Sequence, residues 1–212
     1  MMTDVERPIR SERKARGSGH LRRAELLAAA ERIFYRVGYE GATIRKIAEE
    51  VGVSSTALYM YFQDKSEIML EICQRALEGL QQEIDALAAE NLDPVTHLRR
   101  VMELFLRFGF DQPTTYQLLY GETSKDLAER RHAVVGPLNR RSFERTQKAV
   151  EAAIASGGLR ADLSPRAVTE VMVGGCHGII SMRIANPYAP WTESAALSRT
   201  LLDGLFSGFQ AR

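Results

Sequence analysis

One short segment of the chain, residues 43–65, concentrates side chains suited to binding phosphate oxygens and nucleotide bases. Its hydroxyl and ammonium donors are Thr43, Ser54, Ser55, Thr56, Tyr59, Tyr61 and Lys65. A helix beginning near Ser54 would add free backbone N–H groups and the positive end of its dipole. Phosphate contacts position a protein on a duplex, and base edges specify the sequence. This chemistry therefore predicts double-stranded DNA as the partner.

Contacts with base edges are expected from the middle of the segment, where Ser55, Thr56 and Met60 lie. Arg45, slightly earlier in the chain, is placed to reach either a base or a phosphate. Lys65 falls in the first turn of a predicted helix, where a cation opposes the helix dipole. A bound phosphate would offset that cost, so we predict that Lys65 contacts the DNA backbone.

Positive charge gathers at the N-terminal end of the chain. Residues 1–23 carry seven basic and three acidic side chains, a net charge of +4, whereas the whole chain carries +1. Such an arm suggests an anionic partner. We predict a basic flexible arm over residues 1–19, with Arg22 and Arg23 following the DNA backbone or entering its minor groove. A solvated tail that only keeps the protein soluble explains the same charge equally well.

Two short helices that cross at a tight turn would hold these donors in place. Residues 43–62 read TIRKIAEEVGVSSTALYMYF. Ala48 is small enough to let the helices approach, Gly52 lies where the turn needs a residue without a Cβ, and Leu58 returns to the same core. This spacing is typical of a helix-turn-helix whose recognition helix is 54–61. The alternative is chance packing of two core helices.

The remaining chain also predicts helices, because apolar residues recur with helical periodicity and strand patterns are nearly absent. We expect an all-α fold of about nine helices. The first spans about residues 20–37 and ends at Gly38, and a long one spans 126–155 with a kink at Gly136-Pro137. The expected N-caps are Thr43, Ser54, Asp64, Asp93, Ser164 and Thr192.

Composition restricts the class of protein. The chain has 212 residues, 45% hydrophobic and 26% charged, which is ordinary for a folded protein and unlike a disordered one. No apolar run approaches the ~18 residues of a membrane span, and we expect no secretory signal. Cys73 and Cys176 are too few for a disulfide framework or a zinc cluster. We therefore expect a reducing, cytoplasmic location, no metal and no cofactor.

The stretch from Arg23 to Ile72 resembles the N-terminal domain of the TetR (tetracycline repressor) family. The residues that carry the resemblance are Ala30, Phe34, Gly38, Tyr39, Thr43, Ile47, Ala48, Gly52, Val53, Leu58, Tyr59, Phe62 and Lys65. It implies a helix-turn-helix DNA-binding domain over 20–65 and a helical effector-binding and dimerisation domain over 66–212. It further implies a homodimeric transcriptional regulator, most often a repressor, that a small effector releases from its operator.

The same resemblance implies roles for individual residues. The positions at which that family holds DNA phosphates match Thr43, Tyr59 and Lys65. The sequence departs from the family at Tyr61, where histidine is usual, at Ser55, which replaces a frequent lysine or arginine, and at Thr56, which replaces a frequent glycine or alanine. We expect these departures to keep the binding mode and to change the preferred operator sequence.

Beyond residue 72 the expectations are coarser. Adaptable apolar and aromatic side chains predict a pocket for a hydrophobic or aromatic effector; they are Met102, Phe105, Phe108, Tyr116, Tyr120 and Phe143, with His177 as a possible hydrogen-bond partner. The last two helices predict a dimer interface containing Val171, Gly175, Gly178, Ile179, Met182, Leu197, Leu201 and Leu205. Ordinary core packing is the alternative for each residue of both sets. The dimer itself follows from the need for two recognition helices on one duplex.

Two other functions compete with a ligand-controlled regulator. An enzyme would need a catalytic signature, and the sequence contains no phosphate loop, dinucleotide fingerprint, nucleophile elbow or metal cluster. A DNA-binding module without ligand control would have the same helix-turn-helix but a filled body. A cavity of several hundred Å³ in the body would favour the regulator.

Overall fold

The computed structural model describes residues 19–211, so the predicted arm, apart from Gly19, lies outside the described residues. Nine helices span that range, which confirms the all-α prediction. They are α1 (Gly19–Gly41), α2 (Ile44–Glu50), α3 (Ser55–Tyr59), α4 (Lys65–Ala88), α5 (Pro94–Asp111), α6 (Pro113–Tyr120), α7 (Lys125–Ala155), α8 (Pro165–Ala185) and α9 (Ser194–Phe209). Within this range no helix is long and apolar enough to cross a bilayer.

Capping side chains fix where most helices begin. Thr43, Ser54, Asp64, Asp93 and Ser164 each accept a hydrogen bond from the backbone N–H three residues later, as predicted. These caps satisfy donors that the first turn of a helix leaves free. Local sequence alone therefore sets the starts of α2 to α5 and of α8.

Three helix boundaries differ from the predictions. Glu193, rather than Thr192, caps α9, because its carboxylate accepts from the N–H groups of both Ala195 and Ala196 at 3.0 Å. α7 begins at Lys125 and runs to Ala155 as one helix with Pro137 inside it. α1 extends to Gly41, but Gly38 interrupts it with a φ of 69°, a left-handed value that glycine adopts without strain.

The body of the protein, helices α4 to α9, encloses an apolar core. Leu98 and Met102 of α5, Val150 of α7 and Met172 of α8 are all buried. α5 and α8 approach closely at Gly109, where a Cβ would come within 2.5 Å of the Ile180 side chain. One continuous cluster of buried apolar residues joins this core to that of the N-terminal helices.

Candidate nucleic-acid interface

The turn between α2 and α3 has the geometry that the sequence predicts. Gly52 has a φ of 67°, and the N–H of Val53 donates to the carbonyl of Ala48 at 3.0 Å. Ala48 is buried, which lets α3 pack against α2, and Leu58 is fully buried beneath α3. The turn and this apolar anchor hold α3 against the N-terminal core.

The opposite side of α3 is open to solvent. Ser54 caps the helix by accepting from the N–H of Ala57 at 3.1 Å. Thr56 is exposed, and Tyr59 and Met60 keep 55% and 84% of their surface accessible. Burying an apolar side chain as exposed as Met60 is favourable, and contact with a thymine methyl group in the major groove would bury it. Ser55, the remaining predicted base contact, is half-buried.

Two further predicted DNA contacts lie at the start of α2. Thr43 is exposed and accepts from the N–H of Lys46 at 3.2 Å, so its hydroxyl proton is free to donate to a phosphate. Arg45 is exposed, with Glu49 3.5 Å from its guanidinium. An exposed pair of this kind contributes little to stability. Arg45 therefore loses little by exchanging Glu49 for a nucleotide.

Lys65 is tied to the end of α1. Its Nζ donates to the carbonyl of Tyr39 at 2.7 Å and lies 4.1 Å from the centre of the Tyr39 ring. A cation in the first turn of α4 is unfavourable, and these two contacts offset that cost. The sequence alone predicted that a bound phosphate would offset it. An ammonium has three donors, so Lys65 remains able to bind a phosphate as well.

Asp64, beside Lys65, joins the start of α4 to α7. Its carboxylate caps α4 and also accepts from the guanidinium of Arg130 at 3.0 Å. Partial burial would raise the pKa of Asp64, but the hydrogen bonds from Arg130 and the Glu67 N–H lower it below its usual value. The carboxylate is thus ionised at neutral pH and links the DNA-binding end to the body.

Arg23 has an internal role that the sequence argument missed. Its Nε donates to Glu71 at 2.9 Å, its Nη1 donates to the Tyr61 carbonyl at 2.6 Å, and its guanidinium stacks on the Phe62 ring at 4.2 Å. Tyr61 is half-buried against the core rather than fully outward like Tyr59. Arg23 and Tyr61 therefore support α3 from behind. Arg22 pairs with Glu25 at 2.6 Å.

Replacing Arg23 with methionine is expected to lower the free energy of unfolding by about 1–3 kcal/mol, because Glu71 loses a charged partner and the Tyr61 carbonyl loses its donor. The matched control is Arg22→Met, which removes only the exposed pair with Glu25 one turn away in the same helix, and there we expect a change within about 0.5 kcal/mol. Urea unfolding followed by circular dichroism measures both. Equal effects of the two variants would contradict the internal role of Arg23.

Five of the predicted effector contacts meet in the body and form what we call the aromatic group: Phe105, Phe108, Tyr116, Tyr120 and His177. The Tyr116 hydroxyl and His177 Nδ1 form a hydrogen bond, and the Tyr120 hydroxyl donates to Asn139 at 3.1 Å. Burial lowers the pKa of His177 and raises that of Tyr120 to about 12. At neutral pH the aromatic group is therefore uncharged.

The other two predicted contacts lie differently. Met102 is buried in the core. Phe143 is half-buried on α7 and makes no ring contact with the aromatic group in the part of the chain described. No group of three or more metal-binding side chains occurs in residues 19–211.

Helix α8 presents an open apolar face, which we define as Val171, Gly174, Gly178 and Met182. Val171 and Met182 keep 49% and 56% of their surface accessible, and a Cβ added at either glycine would meet no atom within 4 Å. A Cβ added at Gly175 would instead meet the side chains of Leu201 and Leu205 of α9 at 3.5 Å. Gly175, Leu201 and Leu205 thus join α8 to α9 within the chain, and the two other predicted interface residues, Ile179 and Leu197, are half-buried.

Comparison with known proteins places these features in a family. The family model of bacterial regulatory proteins of the tetR family matches residues 26–72, and that of the tetracyclin repressor-like C-terminal domain matches residues 98–205. The transcriptional activator FasR of Mycolicibacterium smegmatis is 32% identical over 99 residues, 47% of this chain and 45% of its own length. The regulator HbdR of Aromatoleum sp. (strain CIB) is 29% identical over 139 residues, 66% of this chain and 60% of its own. The chain thus spans roughly half the length of these relatives.

Solved structures show the same fold. The fatty acid degradation regulator FadR from Bacillus halodurans superposes with a TM-score of 0.75 at 16% identity, over 94% of this chain and 100% of its own. FadR from Bacillus subtilis in complex with stearoyl-CoA gives 0.69 at 18% identity, over 88% and 99%. The C-terminal match alone covers half of the chain. The protein therefore belongs to the TetR family, whose members are helix-turn-helix, DNA-binding transcriptional regulators rather than enzymes.

Proposed function

We propose that this transcriptional regulator binds its operator as a homodimer through the exposed side of α3. The observation that carries the proposal is the contrast between Leu58, fully buried, and the two residues after it, which are largely exposed: Tyr59, the last residue of α3, and Met60, which caps its end. A short helix that is fixed by one buried residue and exposes its last residue and its cap is suited to enter the major groove.

Residue roles follow from position and chemistry. Side chains at helix starts bind phosphates: Thr43, Ser54, Lys65 and, from the end of α3, Tyr59. Ser55, Thr56 and Met60 contact base edges, and Arg45 reaches either. Arg22 follows the backbone with the arm before it. We assign Arg23 and Tyr61 to positioning α3, because their polar contacts lie within the protein.

The dimer is proposed to form through α8 and α9. One short recognition helix contacts too little DNA for tight specific binding, whereas a two-fold dimer presents two of them. Burying the open apolar face of α8 against a partner subunit would stabilise the dimer. The two glycines of this face leave room for the backbone of the partner to approach.

The aromatic group is proposed as the effector site, and the effector is proposed to be a hydrophobic or aromatic molecule. The group is uncharged and offers the Tyr116–His177 pair for one hydrogen bond. The names of the structural neighbours support this class, since one was solved with stearoyl-CoA and another is a ketosteroid regulator. Because Tyr116 is almost fully buried, a bound effector must displace side chains.

Control of DNA binding is proposed to be a population shift between two spacings of the recognition helices. α4 begins at Lys65, beside the proposed DNA contacts, and continues into the body, so a change around the aromatic group moves the DNA-binding end. The Asp64–Arg130 pair transmits the same movement from α7. A coupling free energy of about 1–3 kcal/mol, about 5- to 150-fold in affinity, suffices for control. We propose that the protein acts as a repressor that its effector displaces from the operator.

The alternative function, DNA binding without ligand control, has one observation in its favour. Tyr116 and Met102 each keep only 1% of their surface accessible, as in a core without a cavity. Two relatives that are 34% and 27% identical over part of the chain are named nucleoid occlusion factors. Operator affinity that no hydrophobic compound changes would favour this alternative.

The proposed roles predict two different responses in DNA binding. Tyr59→Phe removes a phosphate donor and is expected to weaken binding to all duplexes by a similar factor, whereas Thr56→Ala is expected to change the preferred bases, with about 1–3 kcal/mol at one position. Selection from a random duplex library and fluorescence anisotropy measure both. Tyr188→Phe, at an exposed tyrosine outside the interface, is the control. A base-specific loss in Tyr59→Phe would contradict the assignment.

A further inference from the structure

The C-terminal end of α1 binds lysine side chains from two other helices. The carbonyl of Gly41 accepts from Nζ of Lys46 in α2, and the carbonyl of Tyr39 accepts from Nζ of Lys65 in α4, both at 2.7 Å. The last carbonyls of a helix have no partner within it and lie at the negative end of its dipole, so they favour cations. The end of α1 therefore connects α2 and α4.

Lys65 has a second contact at this end of α1, with an aromatic ring. Its Nζ lies 4.1 Å from the centre of the Tyr39 ring, within the range of a cation–π interaction. The Tyr39 hydroxyl forms a hydrogen bond with Ser66, the next residue of α4, at 2.9 Å. This bond keeps the ring over the start of α4. Tyr39 thus holds Lys65 with its backbone and with its side chain.

These contacts prepare Lys65 for binding a phosphate. The carbonyl and the ring engage two of the three N–H groups of the ammonium, which leaves the third for a phosphate oxygen. A lysine side chain has four rotatable bonds and loses conformational entropy when a ligand fixes it. Because Tyr39 already restricts the Lys65 side chain in the free protein, less entropy is lost when DNA binds.

We propose that Tyr39 is a positioning residue for operator binding, which acts on the DNA only through Lys65. The inference rests on the proposed function, in which Lys65 binds a phosphate. A phosphate contact carries no sequence information. Loss of the Tyr39 ring is therefore expected to weaken binding to all duplexes by a similar factor and to leave the preferred bases unchanged.

A double-mutant cycle, measured by fluorescence anisotropy at low ionic strength on a duplex selected by the protein, tests the positioning role. Tyr39→Leu removes the ring and keeps the backbone carbonyl. We expect it to weaken binding about fivefold or more, because each subunit of the dimer loses one cation–π contact. In the Lys65→Met background the same change is expected to have no further effect, since no ammonium remains to be positioned.

Two further variants separate the ring of Tyr39 from its other properties. Tyr39→Phe keeps the ring and loses only the hydroxyl bond to Ser66, so we expect it to retain most of the affinity. Tyr35→Leu is the matched control, because Tyr35 lies in the same helix and keeps 74% of its surface accessible. We expect this control to bind DNA like the parent protein.

NMR of the full-length protein with ¹³C-labelled lysine tests the contact in the absence of DNA. The signal of the Lys65 ε-methylene group is the one that disappears in Lys65→Met. Protons above an aromatic ring resonate upfield, so we expect this signal to be shifted upfield in the parent protein and in Tyr39→Phe. In Tyr39→Leu it should return to the position typical of an exposed lysine, while the Lys46 signal stays in place.

The two measurements fail in different ways. A Lys65 signal that Tyr39→Leu does not move would refute the contact, whatever the DNA measurements show. Losses of affinity that add in the double mutant would refute the positioning role, because a purely structural effect of Tyr39 does not depend on Lys65. A parent protein that binds no duplex would refute the proposed function and leave the NMR result standing.

Discussion

Gly178→Arg is expected to convert the protein to a monomer and to weaken operator binding by about 100-fold or more. The substitution places a large charged side chain on the open apolar face of α8, where a partner subunit would have to desolvate it. Because a monomer presents one recognition helix, it loses most of the specific affinity. Sedimentation velocity measures the oligomeric state, and fluorescence anisotropy measures the affinity.

The monomer itself has no reason to unfold in this variant. A Cβ at position 178 meets no atom within 4 Å, and arginine favours the helical conformation over glycine by about 1 kcal/mol. Gly79→Arg is the matched control, since Gly79 is equally unobstructed in another helix, α4. We expect it to remain dimeric and to bind DNA. A dimeric Gly178→Arg protein would show that subunits associate through another surface.

Leu58→Ala is expected to lower the free energy of unfolding by about 2–5 kcal/mol, because Leu58 is fully buried and its truncation leaves a cavity beneath α3. Operator binding should fail with it, since the anchor of the recognition helix is lost. Urea unfolding followed by circular dichroism measures the stability, and anisotropy measures the binding.

Met60→Ala, two residues later, distinguishes the role of Leu58 in holding α3 on the core from the proposed role of Met60 in contacting bases. Met60 is largely exposed, so its truncation is expected to change stability by less than about 0.5 kcal/mol while weakening operator binding. Equal losses of stability in Leu58→Ala and Met60→Ala would mean that α3 does not lie on the core as described.

The parts of the fold that depend on neighbouring residues were predictable from the sequence. Ser54 caps α3 by accepting a hydrogen bond from a residue only three positions later, and Gly52 adopts a left-handed conformation because it lacks a Cβ. Periodicity likewise placed Leu58 in the core. The cap of α9 was predicted one residue early because Thr192 and Glu193 both suit that role, and the longer carboxylate accepts two N–H groups.

Contacts between distant residues were beyond that reasoning. Arg23 reaches Glu71 across 48 positions and Asp64 reaches Arg130 across 66, so no local pattern indicates either pair. The half-burial of Tyr61 accompanies the hydrogen bond from Arg23 to its carbonyl, which is also distant in sequence.

Hydroxyl-radical footprinting on a duplex selected by the protein tests the central claim most directly. If α3 enters the major groove in a two-fold dimer, two protected half-sites should appear on one face of the duplex, about 34–36 Å or a multiple of that apart. Weaker protection with an unchanged pattern is expected for Tyr59→Phe. A single asymmetric protected patch, or no protection at low ionic strength, would contradict the account.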